Sequence, residues 1–344
     1  MENVKLEKNL TGTKLANPVF SQKHSPYYSI DMELKKGCAG KSANIESVDL
    51  LFDETRIEAQ LLVMNALNKY FDWNSATKDN IILTIGKIID GLLSNRDIFQ
   101  NLSELKNVDD YTFEHSINVC VLSLVIGICM DYSIDKLEEI GAGAILHDIG
   151  KLRISREILK KPSILTDDEF DEIKKHTIYG YQILKDNSNI SPVAAYIALS
   201  HHERYDGSGY PMGLEGDNIN KFARIVAVAD VFDALFSDRV YRKKLHPREI
   251  IEYFTKTGSH YFDSEVVDKF VEMVIMYPTG TNVVLSTGER GVVVSNNRGF
   301  PLSPVVRIKC DGNNNKFKRF YNNYYEINLA DNSDVFIDKV CDIG

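Results

Sequence analysis

Hydrophobic residues recur at helical spacing over most of the chain and predict a series of packed helices. Between residues 46 and 100 apolar side chains repeat every three or four positions, as at Ile81, Ile85 and Ile88. This periodicity predicts a helical connecting region, and a plain linker or a dimerisation bundle would both explain it.

The helical spacing continues through the middle of the chain. It predicts helices over 134–149 and 222–236, and Gly150 is placed to end the first of them. Ser191-Pro192 predicts the start of another helix, because serine is a good N-cap and proline is tolerated in the first turn.

Both ends of the chain have a different pattern, with short β-like runs separated by glycine, proline and asparagine. The runs near the C-terminus begin at residues 283, 292, 305, 324 and 335 and predict a small sheet or barrel. The chain is therefore expected to be mainly α, with four parts: a β-rich segment (1–45), the connecting region (46–100), a helical domain (101–278) and a small β domain (279–344).

Composition narrows the class of protein. The 344 residues carry a net charge of −9, with the acidic excess in the middle segment, which makes polymeric nucleic acid a poor candidate partner. The 5 cysteines include no C-x-x-C pair, so neither a disulfide framework nor a zinc knuckle is indicated. The longest apolar run, 119–130, is too short to span a membrane, and the charged N-terminus lacks the apolar core of a signal peptide. A cytoplasmic location is expected.

Histidines and buried aspartates supply the candidate chemistry. Five of the 8 histidines fall between residues 115 and 202, and Asp148 and Asp230 each adjoin or interrupt an apolar run. Taken singly, each histidine could be a hydrogen-bonded core residue. A buried carboxylate, however, needs a proton or a cation as partner, and a metal ion is the economical one. Nitrogen and oxygen donors without cysteine favour iron, manganese or another octahedral metal.

Two motifs carry a resemblance to a known family. His147-Asp148-Ile149-Gly150-Lys151 resembles the His-Asp doublet of the HD-superfamily phosphohydrolases. The segment from His201 to Pro211, HHERYDGSGYP, is similar to the second signature of the HD-GYP subfamily. Together with weaker matches, the resemblance covers about 101–278. It implies a helical HD-type domain that hydrolyses cyclic di-GMP, a bacterial second messenger.

The resemblance also implies a site with two divalent metal ions, iron or manganese. One ion would be held by His115, His147, Asp148 and Asp230, and the other by Asp148, His176, His201 and His202. Asp148 would bridge the two. A third ion is not expected, because Tyr111 stands where three-ion members have a glutamate, and a phenol is a poor ligand at neutral pH.

Lys151, expected to be catalytic together with Asp148, can offer its ammonium to a phosphate oxygen as charge builds in the transition state. Its alternative role is a solvated helix-end lysine. Further motif residues are expected to bind substrate or shape a loop. The substrate group is Tyr210, Asp233, Arg239 and Arg242, and the loop group is Gly207, Gly209 and Pro211. Glu203 and Asp206 could either support the loop or contact the substrate.

The sequence therefore predicts a phosphodiesterase that converts cyclic di-GMP to linear pGpG and, in a second step, to GMP. Two alternatives stay open: a hydrolase of another cyclic dinucleotide or nucleotide, and a non-catalytic signalling module. The partners expected are cyclic di-GMP, a second copy of the chain and a GGDEF-type synthase.

Overall fold

The structure is a computed structural model that describes residues 55, 58, 59, 61, 75–94, 111–159, 161, 163–185, 190–236, 245–257, 260–309 and 324–341, with backbone alone for 75–78 and 111–114. The predicted β-rich segment 1–45 and most of the connecting region lie outside these residues.

Helices dominate the described part of the chain up to Met273, which confirms the expected fold class. They are α1 (Ser75–Ser94), α2 (Tyr111–Cys129), α3 (Ile134–Leu146), α4 (Arg156–Leu159), α5 (Asp167–Lys174), α6 (His176–Lys185), α7 (Pro192–Ser200), α8 (Lys221–Phe236), α9 (Pro247–Glu252) and α10 (Ser264–Met273). Short 3₁₀ turns span Ile149–Arg153 and Gly216–Asn218, and a π-helical turn spans Tyr253–Thr257.

The start of α7 follows the sequence prediction. The Ser191 side chain accepts a hydrogen bond from the Val193 N–H at 3.2 Å, and Pro192 occupies the first helical position. The end of α3 does not follow its prediction. This helix stops at Leu146, and Gly150 lies inside the 3₁₀ turn that follows.

Gly150 is needed for a close contact between two elements. A Cβ atom at this position would collide with the backbone of α6 at the His176 carbonyl and the Gly180 nitrogen. The periodicity of α3 could not show this contact, because it depends on a helix that begins 26 residues farther along the chain.

An antiparallel sheet closes the described chain, in the order β4-β3-β2-β1-β5. Its strands are β1 (Asn282–Leu285), β2 (Arg290–Ser295), β3 (Val305–Lys309), β4 (Tyr324–Asn328) and β5 (Ile337–Val340). The last strand begins two residues later than the sequence predicts, since Ile337 and Val340 pair with β1 and Val335 lies in the preceding turn.

The sheet packs against the helical part. The Gly299 N–H donates to the Glu272 carbonyl at 3.0 Å, and the Arg298 guanidinium lies 2.8 Å from the Glu272 carboxylate. Buried apolar residues of the helices and of the sheet form one continuous core. The C-terminal sheet therefore packs against the helices.

The helices are arranged so that several of their ends meet. Helix α2 packs against α3 and α8, α3 packs against α7, and α6 packs against α7 and the 3₁₀ turn after α3. Among the described residues, every helix is too short or too polar to cross a lipid bilayer.

Replacement of Gly150 by alanine should destabilise the protein. We expect a loss of about 1–3 kcal/mol, typical of overpacking, because the new methyl group meets backbone atoms of α6. Gly86→Ala is the control: this glycine lies inside α1 with no atom within 4 Å of the added Cβ, so it should gain about 0.5–1 kcal/mol. Urea unfolding measures both, and wild-type stability in Gly150→Ala would contradict the close contact.

Candidate metal centre

The predicted metal ligands lie in the interior, at places where five elements meet. His115 is in the first turns of α2, while His147 and Asp148 directly follow α3. The others are the first residue of α6 (His176), the two residues after α7 (His201 and His202) and a residue inside α8 (Asp230). All seven are at most 4% exposed. Helix ends are suitable places for polar ligands, since a side chain there can point inward without interrupting the apolar surface that packs the helix.

The side chains form two groups of possible ligands, His176 with His201 and His202, and His115 with His147 and Asp148. In each group one ligand atom per residue lies within 4.8 Å of the others.

Asp148 lies between the two groups. Its Oδ2 atom is 3.3 Å from Nε2 of His147 and 3.8 Å from Nε2 of His115. Its Oδ1 atom is 3.5 Å from Nε2 of His176 and 4.0 Å from Nε2 of His201. One carboxylate oxygen thus faces each group.

Asp230 approaches the same centre from α8. Its Oδ1 atom is 3.2 Å from Nε2 of His115, and its Oδ2 atom is 3.8 Å from Nδ1 of His202. Asp230 therefore adjoins the group that contains His115, as the sequence assignment requires.

Three of the histidines are oriented by the backbone. Nδ1 of His147, His176 and His201 lies 2.6, 2.7 and 2.9 Å from the carbonyl oxygen three residues earlier. Only a protonated Nδ1 can donate to a carbonyl, so Nε2 is the nitrogen that each of these rings directs toward Asp148.

Burial sets the protonation states of the second group. It lowers the pKa of His176 to about 4 and, with His147 and His176 nearby, the pKa of His201 to about 3. Burial beside His201 holds the pKa of His202 well below its usual range. These rings are neutral at physiological pH, which is the form that binds a metal.

The carboxylates are ionised, and they keep His115 charged. Burial raises the pKa of Asp148, but Lys151 and His147 outweigh it and hold the pKa well below the usual range. At His115 burial lowers the pKa, yet hydrogen bonds to Asp230 and Asp233 raise it to about 9.

The donor set fits metal ions. Nε2 of His147 and Oδ1 of Asp148 are buried atoms that make no hydrogen bond, and buried polar atoms of this kind are rare in proteins. Imidazole nitrogen and carboxylate oxygen are donors that iron, manganese and zinc accept. HD-domain phosphohydrolases depend on metal ions, and these clusters can bind them.

Lys151 faces this centre from the 3₁₀ turn. Its Nζ atom is 2.5 Å from Oδ2 of Asp148, and the side chain is 14% exposed. The residue is therefore an ion-pair partner of Asp148 and not a solvated helix-end lysine.

Tyr210 also lies at the centre. Its ring centroid is 4.8 Å from that of His202, and burial holds the pKa of its phenol well above the usual range. Its N–H donates to the His202 carbonyl at 3.1 Å.

The loop after α7 is held by its own carboxylates, the two residues whose roles the sequence left open. Glu203 accepts hydrogen bonds from the N–H groups of Met212 and Leu214 at 2.7 and 3.0 Å, and Asp206 accepts one from the Ser208 N–H. Both carboxylates thus support the loop.

The predicted loop residues adopt conformations that need them. Gly207 has φ +77°, and a Cβ atom on Gly209 would collide with the backbone of Arg204. Pro211 follows Tyr210 through a cis peptide bond.

Asp233 contacts two residues of α2. Its Oδ2 atom is 2.8 Å from Nδ1 of His115, and its Oδ1 atom accepts a hydrogen bond from Nδ2 of Asn118 at 2.9 Å. Asp233 follows Asp230 by nearly one turn of α8, and both carboxylates contact His115 of α2. The predicted contact of Asp233 with substrate stays a prediction. Sequence reasoning missed Asn118, although its position three residues after His115 on one helix could have indicated it.

Arg239 and Arg242 lie outside the described residues, and so does the side chain of Tyr111. The expected contacts of the two arginines with substrate stay predictions.

Comparisons with known proteins agree with these motifs. Residues 100–266 match the family described as HD domain, and residues 282–343 match the one described as KOW domain associated with HD domain. Over 224 residues the chain is 37% identical to the cyclic di-GMP phosphodiesterase PA4108 of Pseudomonas aeruginosa, an overlap that covers 65% of this chain and 54% of that protein. Over 128 residues it is 41% identical to the 3'3'-cGAMP-specific phosphodiesterase 2 of Vibrio cholerae, covering 37% and 24%.

The chain thus spans about half the length of the first of these relatives and less of the second. Among solved structures, Bd1817, an HDG"Y"P protein from Bdellovibrio bacteriovorus, superposes with a TM-score of 0.54 at 18% identity, covering 67% of this chain and 73% of the other. That likeness shows a shared fold. Residues 100–266 therefore belong to the HD domain family, and the His-Asp doublet and the loop from His201 to Pro211 make this domain one of the HD-GYP type.

Proposed function

We propose that this protein is a metal-dependent phosphodiesterase that hydrolyses cyclic di-GMP to linear pGpG and then to GMP. The observation that carries the proposal is the position of Asp148, with one oxygen 3.3 Å from His147 and the other 3.5 Å from His176. A carboxylate that directs one oxygen at each of two histidine groups can bridge a pair of adjacent divalent ions. The name of the Pseudomonas relative supports the choice of substrate.

Two divalent ions, iron or manganese, are proposed for this centre. The first would be held by His115, His147, Asp148 and Asp230, and the second by Asp148, His176, His201 and His202. When bound, such a pair supplies Lewis-acid polarisation of a phosphodiester and a nucleophile at neutral pH.

The chain's own residues have separate roles. Lys151 orients Asp148 through their ion pair, and its ammonium is the proposed partner of a phosphate oxygen. Tyr210, Arg239 and Arg242 are proposed to hold a guanine base and the distal phosphate. Glu203 keeps the loop that carries Tyr210 in place.

A second candidate function is hydrolysis of a related cyclic dinucleotide, which the name of the Vibrio relative favours. The non-catalytic alternative is weakened because all seven side chains proposed as ligands lie at one buried centre. A cytoplasmic location, a homodimer, a GGDEF-type synthase partner and the lack of polymeric nucleic acid as partner stay predictions.

Product analysis tests the proposed function. Purified protein, reconstituted anaerobically with Fe²⁺ or Mn²⁺, is incubated with cyclic di-GMP, 3'3'-cGAMP and a plain nucleotide, and the products are separated by chromatography. We expect the highest kcat/KM for cyclic di-GMP, with linear pGpG as first product. Faster hydrolysis of 3'3'-cGAMP would favour the second candidate, and no hydrolysis by metal-loaded protein would contradict both.

Asp148→Ala should lose both metal ions and all turnover while the helices still fold, because this carboxylate is proposed to bridge the two ions. Elemental analysis and far-UV circular dichroism measure the two properties. Asp263→Ala is the matched control: it removes another buried carboxylate, which caps α10 and pairs with Arg224 at 2.8 Å and is not a proposed ligand. The control should keep two ions, and full metal content in folded Asp148→Ala would disprove the bridge.

Lys151→Ala should keep its metal ions but lose about 10²–10³-fold in kcat, the range for removing one preorganised electrostatic donor. Arg153→Ala is the control, since Arg153 is an exposed residue of the same 3₁₀ turn that bonds to Gln182. Steady-state kinetics with cyclic di-GMP separate kcat from KM. An unchanged kcat in Lys151→Ala would limit the residue to a structural ion pair.

A further inference from the structure

Three polar side chains form a buried hydrogen-bonded row behind the metal centre. Asn118 on α2 donates to Oδ1 of Asp233 on α8 at 2.9 Å, and Oδ2 of Asp233 lies 2.8 Å from Nδ1 of His115. The three side chains are 4–6% exposed. The row thus ends on a residue proposed to hold a metal ion.

Burying these three polar side chains among apolar residues is energetically unfavourable. Asn118 lies between Ile117 and Val119 on a helix whose residues from 115 to 126 are all buried, and Asp233 lies in an equally buried stretch of α8. A buried carboxylate and amide are tolerated only when hydrogen-bonded, and apolar side chains of similar size would fill the same space without that cost. Packing between α2 and α8 alone therefore does not explain these residue types.

Geometry gives a reason for them. Because Nδ1 of His115 is held by Asp233, the opposite nitrogen, Nε2, is directed toward Oδ1 of Asp230 at 3.2 Å and Oδ2 of Asp148 at 3.8 Å. The other three oriented rings in the centre use backbone carbonyls for this purpose. His115 lies near the start of its helix, and a side chain from the neighbouring helix takes the place of the carbonyl.

Asn118 contacts Asp233 and acts on His115 through it. It lies on the same helix and face as His115, three residues later, and its amide holds the second oxygen of the Asp233 carboxylate. The carboxylate is thereby held at both oxygens by the helix that carries the histidine.

We propose that Asp233, held by Asn118, is a positioning residue that orients His115 for metal binding and does not contact the substrate. The inference rests on the proposed metal centre. Partners of this kind, which accept a hydrogen bond from a ligating histidine, typically change metal affinity by 10–100-fold.

Metal titration of the full chain tests the proposal, with Mn²⁺ as the probe. The affinity for Mn²⁺ is measured by competition with a chelator for wild type, Asp233→Asn, Asn118→Ala and the double variant. We expect Asp233→Asn to bind one of the two ions about 10–100-fold more weakly, and Asn118→Ala to show a smaller loss. The double variant should be no worse than Asp233→Asn, because Asn118 acts through Asp233.

Ser123→Ala is the matched control, since Ser123 is a fully buried polar residue of α2 about two turns after His115. It should bind Mn²⁺ as wild type does. Kinetics supply a second readout: at saturating Mn²⁺, Asp233→Asn should recover kcat and keep the wild-type KM for cyclic di-GMP. A residue that merely supports the fold would not be rescued by added metal.

The outcomes separate this inference from the proposed function. Wild-type protein that binds no Mn²⁺ would contradict both. If the wild-type protein binds two ions and folded Asp233→Asn binds them with unchanged affinity, only the positioning role is overturned. A raised KM in that variant would instead support the contact with substrate that the sequence predicts for Asp233. Should Asp233→Asn fail to fold, Asn118→Ala decides, since wild-type affinity in that variant would overturn the proposal.

Discussion

A buried aspartate surrounded by histidines is the constraint on which the rest of this structure depends. Asp148 is 4% exposed and ionised. Because little water reaches this carboxylate, protein groups must stabilise its charge. His147, His176 and Lys151 approach its two oxygens from three different elements. The ends of α3, α6 and α7 must therefore converge on one point, and Gly150 allows the 3₁₀ turn to approach the backbone of α6 closely enough.

A hydrogen bond at Nδ1 orients four of the histidine rings. A hydrogen bond at Nδ1 holds the ring in place and so fixes the direction of Nε2. Backbone carbonyls perform this at His147, His176 and His201, and the carboxylate of Asp233 performs it at His115. Burial then keeps His176 and His201 neutral, because an isolated imidazolium is unfavourable in that surrounding.

Several polar residues near the centre are hydrogen-bonded to other parts of the chain. Glu203 and Asp206 hold the loop that carries Tyr210, and Asn118 holds Asp233. A sequence motif contains residues proposed to bind a ligand as well as residues that hold those in place. Separating the two classes requires knowing which helix faces which.

Local sequence features were sufficient to predict the fold class, the positions of several helices and a set of candidate residues for the centre. Apolar spacing, the Ser191-Pro192 cap and the two motifs are local features, and a local feature can be read without knowing its neighbours. Only the tertiary structure decided the end of α3 at Leu146, the need for glycine at 150 and the contacts of Asp233. The last two depend on residues at least 26 positions apart in the chain, which come together because helices pack across their apolar faces. One-dimensional periodicity does not specify which faces meet.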